Sequence, residues 1–275
     1  MSRPRIVLIG GGNMARSLVG GLVAADHPPS RIRVTDPSSD KRHDLEETFG
    51  VETTADNNAA VADAEVVVLA VKPQGLHEVV AALAPALAQQ RPLVVSIAAG
   101  VRECDISRWL GYSGPVVRCM PNTPALYQCG MTALYANEHT SAAQRERAHR
   151  MLATAGAVIW LDNEADMDTV TAVSGGGPAY FFLLMEALEA AARARGLSDE
   201  QARLLATQTA FGAARMAQEW ADGPADLRAR VTSKGGATAQ ALAALEDADF
   251  AGLMDRAVGA AAERARALGD DWGAN

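Results

Sequence analysis

The chain has 275 residues, 49% of them hydrophobic and 21% charged, with a formal net charge of −8 at pH 7. That profile fits a folded globular chain, not a disordered one, and the acidic balance argues against a protein held mainly on nucleic-acid phosphates or anionic lipid. Only 5% of residues are aromatic, and three cysteines (Cys104, Cys119, Cys129) and five scattered histidines form no Cys-x-x-Cys pair, so base-stacking platforms, disulfide scaffolds and metal sites are not expected.

Arg5–Ile9 predicts a first strand. Its apolar core, Ile6-Val7-Leu8-Ile9, is four residues long before Gly10-Gly11-Gly12. A secretory signal needs roughly 7–15 apolar residues and a spanning helix about 20, so a cytoplasmic chain is expected. A helix follows from Asn13 to about Ala25, with Leu18, Leu22 and Val23 at helical spacing. Ile32–Thr35 predicts strand two, ending at Asp36 and a turn through Pro37 and Ser38. Glu65–Ala70, Leu93–Ile97 and Pro115–Cys119 are apolar without alternation, the pattern of strands buried on both faces. Ala157–Leu161 reads as the last strand. Strands alternating with helical stretches predict a parallel sheet wound with helices.

After Asp162 the character changes. From Met167 the chain is rich in alanine and reads as helix, broken at Gly175-Gly176-Gly177-Pro178, Gly196, Gly223-Pro224 and Gly235-Gly236. Alanine favours helix and lets helices approach closely. Phe181 to Leu188 is more apolar than one packing stripe requires, which points to a helix covered on several sides, as in a subunit interface. The expected organisation is α/β: a Rossmann dinucleotide-binding domain over 1–162 and an all-helical domain over 163–275.

Gly10-Gly11-Gly12-Asn13-Met14-Ala15 fits G-x-G-x-x-A directly between a strand and a helix, the context that gives this pattern meaning. Gly10 makes the tight turn, Gly12 lets the backbone approach a pyrophosphate, and Ala15 lets helix and strand pack closely. The N–H groups opening the helix at Asn13 and Met14 then face the phosphates. Asp36, 24 residues beyond Gly12, has two readings. It can hold a ribose 2′-hydroxyl, favouring NAD, or it can cap the Pro37-Ser38 turn while Ser38, Ser39, Lys41 and Arg42 take a 2′-phosphate. The residues leave the preference between NAD and NADP open.

Four further segments, Ala70-Val71-Lys72-Pro73, Met120-Pro121-Asn122-Thr123-Pro124, Ser174-Gly175-Gly176-Gly177-Pro178-Ala179-Tyr180 and Val231-Thr232-Ser233-Lys234-Gly235-Gly236-Ala237-Thr238, complete a pattern over essentially the whole chain. In it the sequence resembles the pyrroline-5-carboxylate reductases, which perform the last step of proline biosynthesis. The resemblance implies reduction of the cyclic imine 1-pyrroline-5-carboxylate to L-proline by a nicotinamide dinucleotide, usually NADPH, with NADH as the alternative. It also implies a helical domain that dimerises and often assembles further.

By the same resemblance, Thr238 lies by the ring nitrogen as the catalytic residue, and Gly236, Ala237, Ser233 and Ser174 line the substrate. Ala70, Val71, Lys72 and Pro73 line the cofactor's ribose and nicotinamide end. Asn57 contacts the adenosine ribose, Ala98-Ala99-Gly100 lets the nicotinamide approach, and Asn122 bounds the cleft. Reduction of an already protonated imine needs positioning more than a strong general acid. The competing reading of Thr238 is a plain helix N-cap. Many members carry Ser-Gly-Ser-Gly-Pro where this chain has Ser174-Gly175-Gly176-Gly177-Pro178, so Gly176 supplies no hydroxyl; Cys129 and Arg230 receive no role. Two other functions fit parts of the pattern. A two-domain hydroxy-acid dehydrogenase would use a lysine early in the helical domain, and none occurs between Lys72 and Lys234. A non-catalytic dinucleotide sensor would leave the Ala237-Thr238 motif without a purpose.

Overall fold

A computed structural model describes residues 3–274. The order is β1 (Ile6–Ile9), α1 (Asn13–Ala24), β2 (Ile32–Thr35), α2 (Ser39–Phe49), β3 (Glu52–Thr54), α3 (Asn57–Val61), β4 (Val66–Leu69), α4 (Pro73–Gln90), β5 (Leu93–Ser96), α5 (Glu103–Leu110), β6 (Val116–Met120), β7 (Gly130–Ala136), α6 (Ala142–Ala153) and β8 (Gly156–Trp160). Then come α7 (Asp166–Val170), a π-helical turn Thr171–Gly175, α8 (Gly177–Arg193), α9 (Asp199–Glu219), α10 (Pro224–Arg230), α11 (Ala237–Asp247) and α12 (Phe250–Gly273). Two compact units form: residues up to Gly175 together with those from Ala261 onward, and Gly176–Ala260.

The first unit is built on one eight-stranded sheet in the order β3-β2-β1-β4-β5-β6-β7-β8. Alternate residues of each central strand feed two separate cores. Ile6, Leu8, Val66 and Val68 pack with Leu18 and Leu22 of α1 and Leu152 of α6. Val7, Ile9, Val67 and Leu69 pack with Leu76, Val80, Leu83 and Leu87 of α4 and Ile106 of α5. Covering both faces explains why these strands are apolar throughout. Each fully buried leucine or valine contributes about 1.5–3 kcal/mol.

The sequence misses two strands. β3 is three residues long at the sheet's edge, with Glu52 exposed, too short and polar for a hydrophobic pattern. β7 runs antiparallel to β6, and β8 parallel to β7, so the sheet is mixed where a parallel one was expected. Only nine residues, 121–129, join β6 to β7. A parallel return needs a crossover of a dozen or more, so the chain doubles straight back.

The first unit continues past residue 162, where the sequence changes character. Glu164 Oε1 accepts from Arg118 Nη1 on β6 at 2.9 Å and from the N–H of Glu103, which opens α5, at 2.6 Å. Met167 and Ala172 are fully buried, so α7 and the π turn belong to this core. The second unit is helical throughout. α9 begins with a capping box, Ser198 with Gln201, which satisfies two otherwise unpaired N–H groups. In the single chain α8 leaves Phe181 62%, Phe182 63% and Leu183 67% exposed, and large apolar side chains left open side by side mark an interaction surface. Among the described residues no helix is long and apolar enough to cross a membrane, and no group of three or more His, Cys, Asp or Glu side chains is placed to hold a metal ion.

Candidate active site

The parallel strands β2, β1, β4, β5 and β6 end on one edge of the sheet, and their order reverses between β1 and β4. Ligands of open α/β sheets bind at such a point. The Gly10–Ala15 turn, Asp36, Ala70–Pro73, Ala98–Gly100 and Asn122 follow β1, β2, β4, β5 and β6 respectively. The fold therefore gathers most of the expected cofactor residues on one rim. Asn57, half-buried, opens α3 after β3.

The glycines of the turn have separate reasons. Gly10 has φ +106°, and a Cβ there would lie 2.6 Å from the Ala70 carbonyl oxygen, so the chain's own packing demands glycine. Its N–H donates to Thr35 O at 2.8 Å, locking the turn to the end of β2. A Cβ at Gly12 would meet no protein atom within 4 Å. Gly12 is the N-cap of α1, which has no acidic residue in its first turn and, among the described residues, no side-chain cap. A helix N-terminus left open in this way suits an anion, and the backbone at Gly12 is open to a close approach. Ala15 is buried against the sheet, as the motif requires.

Asp36 turns inward and is 6% exposed. Its Oδ2 accepts from the Gly11 N–H at 2.9 Å and from Lys41 Nζ at 3.3 Å, and its Oδ1 accepts from the Ser38 N–H at 2.9 Å. Burial pushes this carboxyl up, but the N–H donors of Ser38 and Gly11 and the Lys41 ammonium outweigh it and hold the group below the ordinary carboxylate value. The carboxylate thus ties the glycine turn to the turn after β2. Arg42 Nη1 donates to the carbonyls of Asp36 at 2.6 Å and Pro37 at 3.1 Å, so two cations stand at the same strand end. Thr35 Oγ1 is buried there with no partner among the described residues.

Lys72 is exposed and is the N-cap of α4, with Pro73 at the first helical position. Ala98 is buried, with its N–H on Ser96 Oγ at 3.4 Å, while Ala99 is exposed. Both ends of the Asn122 amide have protein partners: Nδ2 donates to Ser174 O at 3.0 Å, and Oδ1 accepts from the Met131 N–H at 2.8 Å. Ser174 Oγ donates to Val170 O at 3.0 Å, from the π turn back to the end of α7.

In the second unit, Gly235 has φ +72° and Gly236 is the N-cap of α11, with its N–H on Ser233 O at 3.0 Å. Thr238 is therefore the second helical residue and not the cap. It is exposed, as are Ser233 and Ala237. Like α1, α11 has a glycine cap, no acid in its first turn and no side-chain cap among the described residues. α2, α3, α6 and α9 are capped by the side chains of Ser38, Asp56, Ser141 and Ser198. Sequence reasoning singled out no residue of 261–274, which pack on the segment after β5; no motif marks them.

Comparison with known proteins gives the family. Residues 164–268 match the family model for pyrroline-5-carboxylate reductase dimerisation, and residues 5–100 match that for NADP oxidoreductase, coenzyme F420-dependent. The chain is 50% identical to a pyrroline-5-carboxylate reductase of Pseudomonas aeruginosa over 99% of its length and all of the relative's. The structure of a pyrroline-5-carboxylate reductase from Coxiella burnetii superposes with a TM-score of 0.94 at 44% identity, covering 97% of this chain and 99% of that one. That of a Plasmodium falciparum pyrroline carboxylate reductase with NADP bound does so with a TM-score of 0.85 at 28% identity, covering 98% and 99%. The chain belongs to the pyrroline-5-carboxylate reductase family.

Proposed function

We propose that this protein reduces 1-pyrroline-5-carboxylate to L-proline, using NADPH in preference to NADH, as a homodimer joined through its helical half. The observation that carries the reading is the glycine turn between β1 and α1, whose helix N-terminus has no acid in its first turn and no side-chain cap among the described residues; α11 opens in the same way at Gly236, as does α8 at Gly176. On the rim after β1, the N–H groups opening α1 and the space at Gly12 suit a pyrophosphate. Ala70–Pro73, Ala98, Ala99 and Asn122 bound the rest of the dinucleotide, and Asn57 lies toward its adenosine end. When bound, the reduced nicotinamide supplies the hydride for the imine carbon.

In α11, the N–H groups of Gly236, Ala237 and Thr238 suit the substrate carboxylate, with Ser233 as further lining. Thr238 Oγ1 accepts a hydrogen bond from the protonated ring nitrogen and donates one to the neutral amine, so one hydroxyl serves both ends of the reaction. The sheet unit, up to Gly175 and again from Ala261, acts as the dinucleotide-binding part, and Gly176–Ala260 as the dimerising and substrate-binding part.

The inward Asp36 supports the NADPH preference. Both its oxygens already accept hydrogen bonds from the chain, while Ser38, Ser39, Lys41 and Arg42 surround the same turn. Asp36 and Asp40 balance Lys41 and Arg42 in charge, so what favours a 2′-phosphate is the set of donors at the turn, two cations and two hydroxyls, beside a carboxylate already engaged by the chain. Initial rates of NADPH and NADH oxidation with pyrroline-5-carboxylate test the whole reading. Faster oxidation of NADPH is the expected result. Faster NADH would return Asp36 to the ribose hydroxyls, and no oxidation of either would remove the assigned reaction.

A further inference from the structure

Residues 261–274 of α12 lie in the first unit, against the segment after β5. The Trp272 indole faces Gly100. A Cβ on Gly100 would come within 3.3 Å of Trp272 Cδ1 and 3.7 Å of Leu268 Cβ. Gly100 also has φ +81°, so glycine is required there both for the backbone and for the contact. The fit is equally close from the other side: a Cβ on Gly269 would lie 3.0 Å from Gly100 O and 3.3 Å from Arg102 Nε. Arg102 Nη2 pairs with Asp270 Oδ1 at 2.6 Å, and Arg108 Nη2 donates to Gly273 O at 2.7 Å.

The segment held in this way, Ala98-Ala99-Gly100, has no side chain larger than a methyl group with which to anchor itself. Its inner support is the Ser96 Oγ bond to the Ala98 N–H and the burial of the Ala98 methyl in the core beside Val101. Its outer support is α12.

We propose that Trp272 and Asp270 are positioning residues for hydride transfer: by packing on Gly100 and pairing with Arg102, they fix the loop that bounds the nicotinamide. The inference rests on the proposed function for the identity of the loop's ligand, but not for the brace itself. Neither residue touches the dinucleotide; both act through the loop. Reaction rates depend on reacting atoms being held within tenths of an ångström, and a loop of small residues holds its place only if something outside it does.

The test uses the full-length protein and the variants Trp272→Ala, Trp272→Phe, Gly269→Ala and Asp270→Asn. Gly269→Ala is the sharpest, because alanine strengthens an isolated helix while its methyl group pushes α12 from Gly100 O. In Trp272→Ala and Gly269→Ala, kcat is expected to fall about tenfold while the NADPH Kd, measured by calorimetry, stays within about twofold. The primary isotope effect with NADPH deuterated at C4 rises, Trp272→Phe recovers most of kcat, and Asp270→Asn gives a smaller fall.

A readout independent of turnover is amide hydrogen exchange in the cofactor-free protein. Exchange at residues 98–102 accelerates in Trp272→Ala and Gly269→Ala, with the sheet strands unchanged. Unchanged exchange at 98–102 in both variants overturns the brace, whatever the activity. Faster exchange with wild-type kcat and isotope effect overturns its role in positioning. Wild-type protein that binds NADPH yet leaves the imine unreduced counts against the assigned reaction, and the exchange data then still decide whether the brace exists.

Discussion

Thr238 stands second in α11, exposed, in a helix whose N-cap is Gly236. Its hydroxyl therefore has no capping duty, and removing it leaves the helix end as it was. Thr238→Ala is expected to keep the wild-type melting temperature and NADPH affinity while losing a hydrogen bond to a charged nitrogen, about 1.5–3 kcal/mol, or about tenfold to a hundredfold in kcat/KM. Steady-state kinetics and a thermal melt check both halves; a lower melting temperature with unchanged turnover would return Thr238 to a structural role. Asp36 is the opposite case, a side chain that holds structure. Asp36→Ala strands the Gly11 and Ser38 N–H groups, a loss on the order of 1–3 kcal/mol, and raises KM for NADPH and NADH alike, whereas a ribose-holding carboxylate would affect NADH selectively. Because its folded pKa lies below the ordinary 3.8, the stability it contributes is complete above pH 3.8 and is lost as pH falls through the folded value. The gap between wild-type and Asp36→Ala melting temperatures should thus narrow in acid. Sequence spacing found Asp36 but could not tell inward from outward, because that depends on where the Gly11 N–H comes to lie.

At the scale of elements, the β1–α1 turn separates two kinds of glycine. Gly10→Ala drives a methyl group into the Ala70 carbonyl at a positive φ and is expected to lower the melting temperature sharply. Gly12→Ala enters open space, so the variant should melt like the wild type and bind NADPH at least about tenfold more weakly, the methyl group standing where the pyrophosphate approaches the backbone. Calorimetry beside a melt separates the two; a Gly12→Ala protein that binds normally would show that no phosphate comes that close. The strands beside this turn were legible because burial on both faces leaves an unbroken apolar run in β1 and β4, and β5 and β6 are interrupted only by the buried Ser96 and Arg118. β7 was not legible. Its Gly130-Met131-Thr132-Ala133 opening carries no β signature of its own, and its direction is set by the short connection from Met120. The π turn at Thr171–Gly175 was equally hidden: Gly175 lies so near Met120 that a Cβ would come within 2.5 Å of its Cε, a tertiary fact with no local pattern.

For the whole molecule, the apolar exposure of α8 and α9, with Phe182 at 63% and Leu204 at 63%, requires a cover, and the match of residues 164–268 to a dimerisation model names its kind. Light scattering is expected to give about twice the mass of one chain, and Phe182→Glu, which sets a charge in that apolar surface, should shift the protein toward monomer or aggregate. A dimer unaffected by Phe182→Glu would place the interface elsewhere. Alanine-rich composition made the helical half legible, but not the return of residues 261–274 to the first unit, because nothing local distinguishes the end of α12 from its beginning. That return has a consequence in time. A ribosome delivers the sheet first, yet the residues that close over Gly100 emerge only after all of 176–260 has been made. Synthesis at roughly 5–20 residues per second leaves several seconds in which the β5 loop has been made and the residues that cover it have not. A chain interrupted anywhere in the helical half is left with that loop unbraced.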